Sequence, residues 1–298
     1  MLIRAGFDIA IGCAQPTPLV LLLNIHPFRA KDVRTSTGLR VTSGVVTAEH
    51  IDMFGNRVHR VMAQPGTVRL TSDALVRDTG LPDFANRSAR ETPVADLPAD
   101  VLVYLLGSRY CETDQLNAAA WELFGNAPTG YARVQAICDF VHNHIRFDYA
   151  CARATRTALE AFNERQGVCR DFAHLAIAFC RSMNIPARYC TGYLGDIGVP
   201  QDPAPMDFSA WFEVWLEGRW YVFDARHNEP RIGRIVMARG RDAADVAMIS
   251  SFGPHDLVHF QVWTDEVAET EAVPRLSVRR PVPVQIPAPV AGPTAMAG

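Results

Sequence analysis

Apolar positions change period twice along this chain, and the changes divide it into segments. From residue 1 to about 90, short apolar runs at 19–23, 41–48, 57–63 and 66–70 are separated by Pro, Gly, Asn and Asp. Such runs predict strands. Asp52-Met53-Phe54-Gly55-Asn56 predicts a hairpin turn between two of them. Many short strands at close spacing predict a sandwich. Residues 86–100 mix charges with Pro93 and Pro98 and read as a linker.

The helical period follows. Thr113 and Asp114 are placed to cap a helix carrying Leu116, Ala119, Ala120, Leu123 and Phe124 on one face. Val134, Ile137, Cys138, Val141 and Ile145 form a second amphipathic stripe. A short helix is predicted at about 157–164. From Cys169 to about Met183, apolar residues (Phe172, Leu175, Ile177, Phe179, Cys180) surround the axis on nearly every side. A helix apolar all round is a buried one. Asn184 and Pro186 stop it.

Strands return at 187–194, 208–216 and 219–225, and more strand-like sequence ends near Val262-Trp263. Glu217-Gly218 is short enough for a two-residue hairpin. That turn sets Leu216 opposite Arg219 and Trp211 opposite Asp224. Alternation then puts Ser209, Trp211, Glu213 and Trp215 on one face with Trp220, Val222, Asp224 and Arg226. Ser209 becomes a diagonal neighbour of Asp224, roughly 7–8 Å away. The reading is an α+β chain: a β-rich, sandwich-like N-terminal domain (1–92), a linker (93–112), a core domain (113–270) and a flexible Pro/Ala-rich tail (271–298).

Composition narrows the function. The chain has 298 residues, 48% hydrophobic, with net charge −3. That balance offers no general attraction to nucleic acid or to anionic membrane. Asp8 interrupts the apolar N-terminus, so no signal peptide is predicted. Seven scattered cysteines without CxxC pairs predict reduced thiols and a cytoplasmic protein.

One of those thiols stands apart. Cys169 follows Gly167-Val168 and opens the buried helix, where free N–H groups and the positive dipole end should lower its pKa and make it nucleophilic. A nucleophilic thiol needs a base, and the base needs an orienting acceptor. The 209/224 face of the hairpin is the natural wall for both.

Four segments carry a resemblance to the transglutaminase-like superfamily of papain-like cysteine enzymes, in particular its bacterial two-domain members. They are Gly167-Val168-Cys169-Arg170-Asp171-Phe172-Ala173-His174, Ile185-Pro186-Ala187-Arg188-Tyr189-Cys190-Thr191-Gly192-Tyr193, Asp207-Phe208-Ser209-Ala210-Trp211-Phe212-Glu213-Val214 and Gly218-Arg219-Trp220-Tyr221-Val222-Phe223-Asp224. The resemblance implies a buried helix packed on an antiparallel sheet. It implies acyl transfer or hydrolysis at a peptide or amide bond through a thioester, on a peptide or protein substrate and with no cofactor or metal. Cys169 matches the family nucleophile and Asp224 the family aspartate. Ser209 stands where the family has histidine, and a hydroxyl cannot be the proton acceptor that imidazole is. His227, three residues past Asp224, is the candidate surrogate base; its plainer role is to cap the strand end. The Cys169 N–H would be one oxyanion donor. The alternative is a non-catalytic binding module that keeps the same cleft for a peptide or protein.

Other features have plain readings. His174 lies five helical steps from Cys169, turned away from it, and reads as a buried, hydrogen-bonded histidine. Cys138, His142 and His144 lack the i, i+4 spacing of a helical zinc pair. Trp211, Trp215 and Trp220 form either a cleft wall or core packing. Arg231, Arg234, Arg239 and Arg241 read as a solvated, salt-bridged loop, or as a holder for an acidic group.

Overall fold

The computed structural model describes residues 1–268; the tail expected at 271–298 lies outside the described residues. The N-terminal part is all strand: β1 (Leu2–Cys13), β2 (Thr17–Leu21), β3 (Val33–Ser36), β4 (Arg40–Thr42), β5 (Gly44–Ile51), β6 (Arg57–Ala63) and β7 (Gly66–Arg77). Helices follow, with two short strands between them: α1 (Thr113–Phe124), α2 (Tyr131–His144), β8 (Arg146–Phe147), α3 (Ala158–Glu164), β9 (Gln166–Gly167) and α4 (Cys169–Ser182). The chain closes with β10 (Ala187–Tyr193), β11 (Ser209–Leu216), β12 (Arg219–Phe223), β13 (Ile235–Gly240), β14 (Ile249–Ser251) and β15 (His255–Val267).

One sheet runs β15-β1-β7-β3, with β4 also paired to β7, and a second runs β14-β2-β6-β5. Ile3, Phe7, Ile9 and Ile11 of β1 share one core with Leu19 and Leu21 of β2 and Val61 of β6. This is the sandwich predicted from short strands, though its central strand, β1, stood apart from the runs that suggested it. Residues 255–267, which the sequence places at the end of the 113–270 segment, instead form β15 and pair with β1 along its whole length. β14 likewise pairs with β2. The reason is burial: β1 alternates no polar face to solvent, so it needs a strand on each side.

The third sheet runs β12-β11-β10-β13. α4 packs against it. Phe172, Leu175, Phe179 and Cys180 of the helix join Ala210, Phe212, Val214 and Leu216 of β11 in one buried cluster. α1, α2 and α3 cover the other sides of α4, and all of its residues from Asp171 to Ser182 are buried. This is the buried helix on an antiparallel sheet that the resemblance implies. α3 begins as predicted: Thr157 and Glu160 form a capping box. Phe208, just before β11, is seated in the sandwich core against Phe7 and Tyr193. The sandwich therefore anchors the start of the strand that carries Ser209. No helix among the described residues is long and apolar enough to cross a membrane.

The hairpin register is the predicted one, from Phe212 opposite Phe223 to Leu216 opposite Arg219. Both turn residues, Glu217 (φ 47°) and Gly218 (φ 81°), are left-handed, as a two-residue turn matched to strand twist requires. A Cβ on Gly218 would meet nothing within 4 Å, so Gly218→Ala costs only backbone strain, about 1 kcal/mol. At Gly192, opposite Ser209, a Cβ would lie 2.2 Å from the Ile235 carbonyl oxygen. Gly192→Ala is expected to cost more, about 2–3 kcal/mol. Urea unfolding of the two variants checks the order; equal losses would contradict it.

Candidate functional site

The thiol is set by the start of α4. Val168 is extended and Cys169 is the first helical residue. The Asp171 carboxylate accepts the Val168 N–H at 2.9 Å and pairs with Arg156 at 3.0 Å. Asp171 and Arg156 are both buried, so this helix end is fixed rather than frayed. The segment after β8 lies across it: the Asp148 N–H donates to the Gly167 carbonyl, and Arg170 donates to the carbonyls of Arg153 and Ala154.

Burial pushes the Cys169 thiol up, to about 11. The Arg226 guanidinium and the Ala210 N–H favour the thiolate; the Asp207 and Asp224 carboxylates oppose it. This corrects the expectation that the helix N-terminus makes a ready thiolate. Removal from water disfavours the charged form, and here that effect outweighs the favourable donors. At neutral pH this favours the protonated thiol.

The structure brings the His227 imidazole to the predicted aspartate. Asp224 follows β12 and is buried at its tip. One carboxylate oxygen accepts the backbone N–H groups of Arg226 (3.0 Å) and His227 (3.1 Å). The other meets His227 Nδ1 at 2.8 Å and the Arg234 guanidinium at 2.8 Å. His227 closes the turn after β12 through both its backbone and its ring. An imidazole nitrogen facing a carboxylate carries the proton, which leaves Nε2 as the free acceptor. Burial alone would raise Asp224. Arg234 and His227 instead hold it well below the usual carboxylate range.

A cavity of about 330 Å³ lies beside this turn; Tyr149, Asp207, Ser209, Arg226 and His227 are on its wall. Tyr149, Asp207 and Arg226 also act electrostatically with the thiol. The Arg226 guanidinium stacks on Phe147, 3.8 Å from its ring centre. Ser209 is buried, and its hydroxyl has no hydrogen-bond partner.

Two of the open readings are resolved by burial. Trp211 is fully buried against Cys190 and Val236, so it is core and not cleft. Trp215 and Trp220 pack edge to face, with Arg188 over Trp220. The arginines are not a solvated loop. Arg231, Arg234 and Arg239 are buried on Asp196, on Asp83 with Asp224, and on Glu213. Arg241 pairs with Asp245. Strand β13 carries this segment into the sheet, where each guanidinium needs a carboxylate.

His174 is buried as predicted. Its Nε2 accepts the Ala243 N–H at 3.1 Å, and its ring stacks on Tyr110. His142 and His144 bond to backbone carbonyls of Arg226 and Phe162. Among the described residues no group of three metal-ligating side chains converges. Sequence reasoning missed Tyr149 and the Asp224 partner Arg234. No spacing rule links either to Cys169 or Asp224; contacts across the fold place them there.

The family model described as the transglutaminase-like superfamily matches residues 117–225, a stretch that includes Cys169, Ser209 and Asp224. A solved candidate cysteine protease from Cytophaga hutchinsonii superposes with a TM-score of 0.76 at 31% identity, covering 89% of this chain and 90% of that one. An uncharacterized protein of Mycobacterium leprae is 36% identical over 97 residues, 30% of this chain and 33% of that protein. The human kyphoscoliosis peptidase is 25% identical over 146 residues, 47% of this chain and 22% of that protein. The chain thus spans about a third of the length, or less, of these curated relatives. It belongs to the transglutaminase-like superfamily.

Two predictions follow from the electrostatics. Iodoacetamide alkylation of Cys169, followed by mass spectrometry, should accelerate about tenfold per pH unit through the alkaline range and level off only near the thiol value of about 11. A plateau below pH 8 would contradict the buried-thiol account.

Arg234→Met should cost about 3–5 kcal/mol at neutral pH, because it leaves a buried carboxylate uncompensated. Asp224 is depressed in the folded state, so its contribution is present above the unfolded carboxylate value of about 3.9 and is lost as pH falls through the folded value. The stability gap between wild type and variant should therefore narrow as pH drops below about 4. Denaturant titrations at two pH values measure it.

Proposed function

We propose that the protein is a cysteine enzyme that breaks or transfers an acyl group at a peptide or amide bond through a Cys169 thioester. The observation that carries this reading is the 2.8 Å contact between His227 Nδ1 and the Asp224 carboxylate, on the wall of the cavity that also holds Ser209. It supplies the imidazole that position 209 lacks.

In this reading the thiol proton leaves as sulfur attacks the substrate carbonyl carbon. The carbonyl electron pair moves to oxygen, and the Cys169 N–H, free at the first turn of α4, donates to that oxyanion. Collapse expels the amine, which takes the proton, and leaves a thioester. Water or a second amine then attacks the thioester and restores the thiol. His227 holds the proton between these events as an imidazolium. Asp224 orients the ring and stabilises its charge, and Arg234 keeps Asp224 ionised. Because the thiol sits near 11, the base matters more here than for a thiol that ionises alone. The substrate class, a peptide or protein, follows from the family chemistry and the open cavity.

p-Nitrophenyl acetate provides a substrate-independent test. Wild type should give a burst of p-nitrophenol and an acetyl group mapped to Cys169. Cys169→Ala should give no burst, and His227→Ala should acylate about 10²–10⁴-fold more slowly, the usual share of general base catalysis. A His227→Ala variant as fast as wild type would remove His227 from the mechanism. No acylation of Cys169 in wild type would favour the binding-module reading.

A further inference from the structure

A second cavity, about 530 Å³, lies between α2, residues 83–87 and the turn after β12. That volume falls in the range of small-ligand sites. Glu229 stands on the wall of both this cavity and the one that holds His227. The apolar part of the wall is aromatic. The Tyr131 and Phe223 rings lie 4.8 Å apart between centres, and Phe84 stacks on Tyr221. The Arg219 guanidinium sits over Phe84 and Tyr221, 4.5 and 5.1 Å from their ring centres. Aromatic faces attract cations in this way.

The polar part of the wall is acidic. Asp83 and Asp224 share one guanidinium, that of Arg234. Asp139 has no cationic partner among the described residues. Its Oδ1 accepts the side-chain amides of Gln135 and Asn228, at 2.9 and 2.8 Å, and its Oδ2 is left open. Glu229 is exposed and has no ion pair among the described residues. Arg87, exposed and also unpaired among the described residues, is the only cationic side chain on this wall. The two open carboxylates outweigh it.

Tyr131 gives an independent sign of a polar ligand. The residue is only 9% exposed, and its hydroxyl makes no hydrogen bond among the described residues. The charges that act on it belong to Cys138, Arg87 and Asp83, all on this wall, so the hydroxyl faces the cavity. It is free to accept a hydrogen bond from an N–H donor.

We propose that this cavity is a second ligand site, which takes an ammonium or guanidinium head on an aliphatic stem: the chemistry of a lysine or arginine side chain, or of a free polyamine. The head donates to Asp139 Oδ2, Glu229 and the Tyr131 hydroxyl. The stem lies along the Tyr131 and Phe223 rings. The site does not depend on any chemistry at Cys169.

Ligand-observed NMR titrations of the full chain test it with three probes. N-acetyl-lysine methylamide represents a peptide side chain, cadaverine a free polyamine, and N-acetyl-norleucine methylamide a stem without charge. Both cationic probes should bind saturably at millimolar concentration, and the tighter of the two identifies the source of the ligand. The norleucine probe should bind about tenfold more weakly, as should the lysine probe to Asp139→Asn combined with Glu229→Gln. Tyr131→Phe should also weaken the lysine probe, whereas Arg87→Ala should tighten it by removing the opposing charge. Asp139, Glu229 and Arg87 are exposed, so these changes leave the core intact, and circular dichroism checks that they do. The site is overturned if neither cationic probe binds at millimolar concentration. It is also overturned if the norleucine probe binds as tightly as the lysine one, or if the folded double variant binds lysine as wild type does.

Discussion

Asp224 is the group on which the arrangement of the site depends. A carboxylate so thoroughly withdrawn from water survives only if each lone pair is occupied. Here the Arg226 and His227 amides take one oxygen, while Arg234 and the His227 ring take the other. Those four donors come from the turn after β12 and from the chain just before β13, so satisfying one charge fixes two segments. The same requirement decides which way the His227 ring faces. Removing the carboxylate would release the turn, the ring and a buried guanidinium together.

The rest of the third sheet is organised by the same rule. Glu213 on β11 is held between Arg188 of β10 and Arg239 of β13, and Arg239 bonds through its backbone to Asn56 at the end of the sandwich hairpin. Polar pairs of this kind cost desolvation, and in return they specify register. They bind strands that apolar contact alone would allow to slide. The sandwich contributes through Phe208, which is packed into its core one residue before Ser209. The β-rich part therefore acts as the fixed wall against which the start of β11 is set.

The half-buried thiol and the buried carboxylate are biased towards opposite ionisation states. Desolvation raises the Cys169 thiol and favours its protonated form. Ion pairing keeps Asp224 charged, so an imidazolium beside it is stabilised. The two groups thus sit in surroundings of opposite bias, one that disfavours negative charge on sulfur and one that holds it on Asp224.

Much of this was legible in the sequence wherever one residue's surroundings are local. The period of the apolar positions identified α4 as buried. Glu217-Gly218 set the hairpin register to the residue, from Phe212 opposite Phe223 to Leu216 opposite Arg219, because a two-residue turn leaves no freedom in pairing. Cys169 and Asp224 were named from their motifs, and His227 from its distance past Asp224. What the sequence misjudged depends on contacts between distant segments. The thiol's ionisation followed from desolvation and not from its helix position. Four arginines that looked solvated proved to be buried or paired, and three of them, Arg231, Arg234 and Arg239, meet carboxylates from other parts of the chain. The return of β15 to β1 was equally hidden, since its pairing partner lies at the opposite end of the chain. Local propensity and spacing act within a turn or a hairpin, so the sequence determined those by itself. Burial and charge pairing act between elements that meet only on folding, so the tertiary structure alone decided the protonation of Cys169, the partners of Asp224 and the place of Ser209.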